Sequence, residues 1–174
     1  KTYRLSRAVS RSIINKEVVD EIIYKTINAR NRLLLELQAR SGLRIGEVLK
    51  LCPKNIECRR VTIETPKSGK EIEFAYLPTS IADKLNRYIT QKQIQQDQRI
   101  FNLSYAGARH IVRKAGRQLG VVLKPHDLRR YSATYASRSG IPLEVVSKVI
   151  LRHQDLRTTQ LYLGKITEEE ALHW

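Results

Sequence analysis

The stretch VTIETPKSGKEIEFAY, residues 61–76, alternates apolar and polar residues on both sides of a turn sequence. A period of two is typical of half-buried β-strands. The segment PKSGK at residues 66–70 supplies the proline and glycine that a tight connection favours. The stretch therefore predicts a β-hairpin with lysines at its tip. Apolar residues on either side of it recur at helical spacing instead, so we predict a mainly α fold with a small antiparallel β-sheet (α+β).

The helical periodicity extends along most of the chain. Before the hairpin it covers residues 16–50, with an interruption at Ser41-Gly42 and an apolar stripe formed by Val18, Val19, Ile22, Ile23 and Ile27. After the hairpin it predicts helices at residues 80–96, 105–119, 125–140 and 142–151, and a short one around 158–163. Ser104 is a suitable helix cap. Tyr131 and Tyr135 follow Leu128 at helical spacing, and we expect both to lie in the core.

Charge indicates the class of partner. The 174 residues include 32 Lys and Arg against 17 Asp and Glu, a formal net charge of +15. A small domain needs a net charge of only about 2–8 for solubility, so the excess favours a polyanion, of which nucleic acid is the commonest. Membrane-surface binding is disfavoured, because the basic residues are dispersed rather than gathered on one amphipathic helix.

Location and domain organisation follow from length and composition. No apolar run approaches the roughly 18 residues of a membrane span, no signal peptide is recognised, and Cys52 and Cys58 match no zinc or disulfide pattern. We therefore expect a cytoplasmic protein with reduced thiols. The length fits one domain, with a basic arm or linker at residues 1–15 and a tail at residues 165–174. The basic start without Met suggests a fragment of a longer protein.

The sequence KPHDLRR, residues 124–130, carries a candidate anion site. Pro125 suits the start of a helix, which places His126 in the first turn and Arg129 three residues later on the same face. An imidazole, a guanidinium and the positive end of the helix dipole then meet at one place, which suits a phosphate. By itself the pair is equally compatible with a solvated helix face.

Two further segments accompany this pair, GLRIGEVLKL at residues 42–51 and LRHQDLRTTQLY at residues 151–162. Together the three segments resemble the tyrosine recombinase family, the phage-type integrases and chromosome-dimer resolvases. The family's first Arg matches Arg44, and its nucleophile, nine residues after a Leu-Gly-His, matches Tyr162. One departure is visible, since Arg152 stands where the family usually has Gly before His153. A cation there could alter the turn or add a phosphate contact.

The resemblance implies a DNA-cleaving site. Its catalytic residues would be Arg44, Lys67, His126, Arg129, His153 and Tyr162. Tyr162 would attack a phosphate of double-stranded DNA to give a 3′-phosphotyrosine and a free 5′ hydroxyl. Arg44 and Arg129 would hold the non-bridging oxygens, and Glu47 could orient Arg44 or be its alternative partner. Bond energy is kept in the phosphotyrosine, so no cofactor, metal or nucleotide is implied.

The remaining roles concern protons and assembly. Lys67 matches the family's catalytic lysine on a hairpin and would protonate the leaving 5′ oxygen, with Lys70 on the same turn as the alternative. His126 and His153 would hydrogen-bond the phosphate and help to position or deprotonate Tyr162. In the family, four protomers on paired sites exchange strands through a Holliday junction, and a DNA-clamping domain usually precedes the catalytic one.

Two other functions stay open on sequence alone. A type IB topoisomerase resembles this family in fold and chemistry but relaxes supercoils without a partner site. A catalytically silent DNA-binding module would account for the charge, although a full set of reactive residues is unexpected in it. The tail at residues 165–174 either passes to a neighbouring protomer or folds back on its own domain.

Overall fold

A computed structural model of the protein describes residues 14–64, 69 and 71–163, and for Leu161 and Tyr162 only the backbone. Most of the predicted arm, the two hairpin lysines Lys67 and Lys70, and the predicted tail lie outside the described residues. Within them the fold is mainly helical with one small sheet, as the periodicity predicts. No described helix is long and apolar enough to cross a membrane.

In the described residues three helices precede the sheet and five follow it. The helices are α1 (Lys16–Lys25), α2 (Ala29–Ser41), α3 (Ile45–Lys50), α4 (Thr79–Gln91), α5 (Tyr105–Arg117), α6 (Pro125–Arg138), α7 (Leu143–Val145) and α8 (Leu156–Leu163). A 3₁₀ turn, Pro53–Asn55, leads into the sheet, and a π-helical segment, Val146–Leu151, continues α7. Ser104 caps α5 as predicted, accepting a 3.0 Å hydrogen bond from the backbone of Gly107.

The sheet is antiparallel with strand order β1 (Ile56–Glu57), β2 (Arg60–Glu64) and β3 (Ile72–Tyr76). The predicted hairpin is confirmed as β2 and β3, in which Val61 pairs with Ala75 and Ile63 with Glu73. The third strand, β1, pairs with β2 on the other side. At two residues it is too short for its own periodicity to reveal it.

Helix α2 is the centre of the molecule, because it is buried on opposite sides. Leu34 and Leu37 pack into a core with α3, the sheet and α4. Leu35 and Ala39 pack into a second core with α1, α5 and α6. Every residue from Leu33 to Ala39 is buried, and this burial fixes the position of α2 between the two cores. Its C-terminal end, at Ser41, leads directly into the candidate site.

Three sequence-based expectations are wrong in detail. Ile27 is 90% exposed, since α1 ends at Lys25 and Ile27 falls in the connection to α2 rather than on an apolar stripe. Tyr135 is 42% exposed, whereas Tyr131 is buried; the Tyr135 ring packs against Tyr131 at a centroid distance of 5.8 Å. The helix predicted at residues 80–96 ends at Gln91, because Gln93 adopts a left-handed φ of 52° that breaks it.

Candidate active site

A cavity of about 850 Å³ opens where α2, α3, the sheet, α5 and α6 meet. Four of the six sequence-predicted catalytic residues line it, namely Arg44, His126, Arg129 and His153. They come from three separate chain segments. Lys50, Arg109 and Lys124 add further positive charge to the lining, against the carboxylates of Glu47 and Glu64. The cavity is therefore a basic pocket suited to an anion.

Arg44 is held by Glu47 at the start of α3. The backbone N–H of Arg44 donates to Glu47 Oε2 at 2.7 Å, and Arg44 Nη1 donates to Glu47 Oε1 at 2.7 Å. The Arg44 side chain keeps 28% of its surface exposed. A guanidinium has five N–H donors, so pairing with Glu47 leaves capacity for an oxyanion. The two alternatives for Arg44, a carboxylate partner or a phosphate, are thus compatible.

Arg129 is buried at 4% exposure and joins two backbone turns. Its Nη1 donates to the carbonyl oxygen of Gly42 and its Nη2 to that of Leu151. Gly42 lies two residues before Arg44, and Leu151 two residues before His153. One guanidinium therefore sets the positions of two other candidate residues besides its own.

Gly42 is required by the space around it. Its φ is +66°, a conformation that side chains rarely adopt. A Cβ on it would stand 2.7 Å from Ile150 Cγ2 and 2.9 Å from the Ile150 carbonyl oxygen. The turn before Arg44 and the π-helical segment before His153 can approach this closely only because no side chain intervenes.

His126 stands in the first turn of α6, as predicted. The N-terminus of that helix is fixed by Asp127, whose Oδ2 accepts a 2.8 Å hydrogen bond from the backbone N–H of Lys124. The buried Gln38 of α2 donates from Nε2 to the carbonyl of Pro125 through a long hydrogen bond of 3.4 Å. Gln38 also lines the cavity. The helix dipole and His126 are thus presented to the same space as Arg129.

His153 is held by a chain of buried hydroxyls. Its Nδ1 lies 2.9 Å from Thr159 Oγ1, and Thr159 Oγ1 donates to Ser147 Oγ at 2.8 Å. Its backbone N–H donates to the Ser147 carbonyl at 2.9 Å. Ser147 and Thr159 are both fully buried. These contacts hold the imidazole in one orientation.

The pKa of His153 is lowered to about 4. Burial is the largest cause, followed by the positive charges of Arg129, Arg44, Arg152 and His126. The imidazole is therefore neutral at pH 7. The neutral ring either donates from Nδ1 to Thr159 Oγ1 or accepts from it, according to the tautomer; with the proton on Nδ1, the lone pair of the ring lies on Nε2.

Arg152 does not project freely into the cavity. Its side chain is 4% exposed, and its Nη2 donates to Glu47 Oε2 at 2.5 Å. Its Nε lies 3.4 Å from Oε2 of Glu73 on β3, a side chain that is itself 6% exposed. The guanidinium of Arg152 is therefore engaged by two carboxylates. The two possibilities raised by the sequence, an altered turn and an added phosphate contact, stay predictions.

Sequence reasoning missed Glu73, Thr159 and Gln38. Alternation in β3 places Glu73 on the buried face of the strand together with Ala75. The other face is 45–52% exposed and carries Ile72, Phe74 and Tyr76. From the sequence alone, the large apolar residues are expected on the buried face and the Glu73 carboxylate on the exposed one. Thr159 carried a usable signal, since it lies three residues before Tyr162 and so on the same helical face.

The structure describes the backbone of Tyr162 but neither its side chain nor Lys67. The backbone of Tyr162 lies in α8, the helix that also carries Thr159. Its side chain, Lys67 and Lys70 lie outside the described residues. In the described part of the chain no group of three or more His, Cys, Asp or Glu side chains is placed to hold a metal ion.

Comparison with known proteins gives concordant matches. The model of the phage integrase family matches residues 13–169. Tyrosine recombinase XerA of Saccharolobus solfataricus is 29% identical over 163 residues, covering 88% of this chain and 55% of that protein. This chain thus spans about half the length of that relative.

Solved structures agree in fold. The crystal structure of XerA recombinase superposes with a TM-score of 0.80 at 18% identity, over 92% of this chain and 61% of that one. XerH recombinase bound to palindromic difH substrate, in a post-cleavage complex, superposes with a TM-score of 0.76 at 23% identity, over 92% of this chain and 51% of that one. At these identities the structures establish a shared fold.

Proposed function

Because this chain belongs to the phage integrase family of tyrosine recombinases, we propose that it is the catalytic domain of a site-specific DNA recombinase. In this proposal it breaks and rejoins double-stranded DNA through a covalent bond between a phosphate and Tyr162. The observation that carries the proposal is the meeting of Arg44, His126, Arg129 and His153 around one basic cavity. Site-specific recombination, integration among its forms, is the activity to be tested.

The two arginines account for transition-state stabilisation. Attack on a phosphodiester builds negative charge on the non-bridging oxygens, and planar guanidiniums match two such oxygens better than ammonium groups do. Arg44 has an exposed fraction and an orienting carboxylate, while Arg129 is fixed by two carbonyls. Preorganised donors of this kind need no rearrangement at the moment of reaction.

The reaction needs one group that takes the proton of Tyr162 and one that gives a proton to the departing 5′ oxygen. A phenol has a pKa of about 10, so Tyr162 must lose its proton as the P–O bond forms. His153 is neutral, and in the tautomer that donates from Nδ1 to Thr159 its Nε2 lone pair suits it to accept that proton or to hold the phenol in place. Lys67 protonates the departing 5′ oxygen, with Lys70 as the alternative. One ester replaces another, and rejoining runs the same steps backwards.

The partners in this proposal are DNA and further copies of the chain. XerH, which shares the fold, is solved bound to a DNA substrate, and the net charge of +15 suits the same ligand. We propose four protomers on paired sites, strand exchange through a Holliday junction, and a DNA-clamping domain outside residues 1–174. Passage of the tail to a neighbouring protomer, and a cytoplasmic location, stay predictions.

A covalent-trapping experiment tests the proposal. The full chain is incubated with a pool of duplexes that carry randomised sequence and a nick, so that the short fragment released on cleavage diffuses away and the adduct persists. Denaturing electrophoresis should show a protein–DNA band for the wild type and none for Tyr162→Phe. Tyr135→Phe is the matched control, since Tyr135 is an exposed tyrosine that lies in no predicted site; it should retain the band.

The same experiment separates the alternatives. A catalytically silent DNA-binding module leaves no band in any lane. A type IB topoisomerase also gives an adduct, but it would relax supercoiled plasmid of arbitrary sequence as a monomer. Sequencing of the trapped DNA should give a shared motif for a site-specific recombinase. The family match favours the recombinase over both alternatives.

A further inference from the structure

Arg152 occupies a backbone position that favours glycine. Its φ and ψ are 51° and 47°, the left-handed region, which is unfavourable for an L-residue with a side chain. The residue ends the π-helical segment and directly precedes His153. A large cation in such a turn needs a compensating contact, and its surroundings supply one.

The compensation is a cluster of four charges from three elements, in which the side chains of Arg152, Glu47 and Glu73 are 4–9% exposed and that of Arg44 is 28% exposed. Arg44 and Arg152 share the carboxylate of Glu47, and Arg152 also faces Glu73. The cluster is electrically neutral, with two guanidiniums and two carboxylates. Desolvation lowers the pKa of Arg152, and a charge this deeply buried persists only with partners. In the described part of the chain Arg152 is the ion-pair partner of Glu73, at 3.4 Å and without hydrogen-bond geometry.

The geometry of Glu47 shows what Arg152 contributes. Glu47 Oε2 accepts from the Arg44 backbone N–H at 2.7 Å and from Arg152 Nη2 at 2.5 Å, while Oε1 accepts from Arg44 Nη1 at 2.7 Å. Three donors from two chain segments therefore fix the plane of this carboxylate. Without Arg152, the donors to Glu47 in the described part of the chain would all come from Arg44, the residue that Glu47 orients.

Arg152 also joins the site to the sheet. Glu73 lies on β3, the strand that follows the connection containing Lys67. Arg152 Nη1 donates to the Ile150 carbonyl at 3.1 Å, which fixes the guanidinium to its own turn. The Arg152 side chain thus links three elements. They are the start of α3, where Arg44 lies; the turn that contains His153; and β3, which follows the connection containing the candidate lysine in the sequence.

We infer that Arg152 is a positioning residue, which couples β3 and the His153 turn to Arg44 through the shared carboxylate of Glu47, with Glu73 as its required counter-charge. The role of this coupling in DNA cleavage rests on the proposed function. It predicts that the alignment of Arg44 and His153, rather than DNA affinity, depends on the Arg152–Glu47–Glu73 contacts.

The decisive variant is Arg152→Gly/Glu73→Gln. It removes one positive and one negative charge, so the net charge stays at +15, and it places glycine where the backbone favours it. We expect the equilibrium affinity for the nicked duplex pool to stay near the wild-type value. The adduct-forming rate at saturating protein should fall by about 10- to 100-fold, because small misplacements of catalytic groups cost that much.

The matched control is Lys25→Gln/Glu21→Gln, which neutralises an exposed ion pair on α1 and should cleave like the wild type. Should the double variant melt below the assay temperature, Arg152→Lys replaces it. The lysine side chain keeps the charge but lacks the fork that reaches two carboxylates, and the same loss of rate is expected. A purely structural role would lower only the melting temperature and leave the rate intact.

A second readout does not need cleavage. The backbone N–H of His153 donates to Ser147, and its hydrogen exchange should be faster in the variant than in the control. Unchanged exchange together with an unchanged adduct rate would overturn the inference. If the wild type forms no adduct at all, the proposed function fails, while the exchange rate of the His153 amide still decides whether Arg152 fixes this turn.

Discussion

Thr159 Oγ1 lies 2.9 Å from Nδ1 of His153, and Thr159 is on the same helix as Tyr162, three residues before it. The contact joins the helix of the candidate nucleophile to the candidate base. It also passes on to the buried Ser147 hydroxyl. A movement of α8 therefore also disturbs the imidazole.

Thr159→Val should slow covalent adduct formation by about tenfold or more, because the imidazole loses the partner that fixes its tautomer and Ser147 keeps an unsatisfied hydroxyl. Valine preserves the shape of threonine, so the change removes only the hydrogen bonds. Thr159→Ser keeps the hydroxyl and should stay within a few-fold of the wild type. Single-turnover cleavage of the nicked duplexes measures both, and equal rates for Val and Ser would refute the role of this contact.

The low pKa of His153 predicts how stability depends on pH. Its pKa is about 4 in the folded chain and about 6.5 when unfolded. Between these values the unfolded state binds a proton that the folded state does not, so stability falls as pH decreases from about 6.5 to 4. His153→Gln should lose this part of the dependence. Thermal unfolding of both proteins across this pH range is the measurement, and parallel curves would contradict the shifted pKa.

The two arginines should respond differently to the same substitution. Arg44→Lys is expected to reduce the adduct rate by about 10²–10³-fold, the usual effect of one lost oxyanion contact, with a small change in melting temperature. Arg129→Lys should lower both, since Arg129 also bridges the carbonyls of Gly42 and Leu151.

The control for these two variants is Arg113→Lys, at an exposed position of α5, which should change neither quantity. The comparison requires the rate and the melting temperature of each variant under one buffer condition. A melting temperature for Arg129→Lys equal to that of Arg44→Lys would mean that Arg129 is not the bridge described here.

Gly42→Ala should destabilise the protein by about 1–3 kcal/mol, the range for overpacking of a close contact. The added Cβ meets Ile150 and the left-handed φ adds strain. Gly46→Ala is the matched control, because a Cβ there meets nothing within 4 Å and alanine favours the α3 helix by roughly 0.5–1 kcal/mol. Urea unfolding of both variants measures the difference, and equal midpoints would show that the Gly42–Ile150 approach is not needed.

The sequence predicted those parts of the fold whose signals are local. The hairpin followed from a period of two, and α5 and α6 from apolar spacing with a cap or a proline. Strand β1 is too short to carry a period of its own. The burial of Glu73 could not be foreseen, because it depends on a cation that reaches β3 from a distant turn.

The site was predictable to a similar degree. Four of the candidate residues could be found because their motifs are contiguous, and the structure brings them to one cavity. The network that supports them could not be predicted, since Arg129 reaches the carbonyls of two distant turns and Thr159, although its spacing from Tyr162 is visible in the sequence, reaches a buried serine. Interactions that connect separate segments leave no spacing in the sequence to recognise.

In the proposed reaction a DNA phosphate becomes bonded to Tyr162. Mass spectrometry of the trapped, nuclease-trimmed adduct tests it directly, because cleavage after Arg157 and Lys165 yields a peptide, residues 158–165, with Tyr162 as its one tyrosine. We predict a nucleotide mass on Tyr162 in this peptide, with a rate of formation about 10²–10³-fold lower in Arg44→Lys. A nucleotide on any other residue, or a trapped complex with residues 158–165 unmodified, would contradict it.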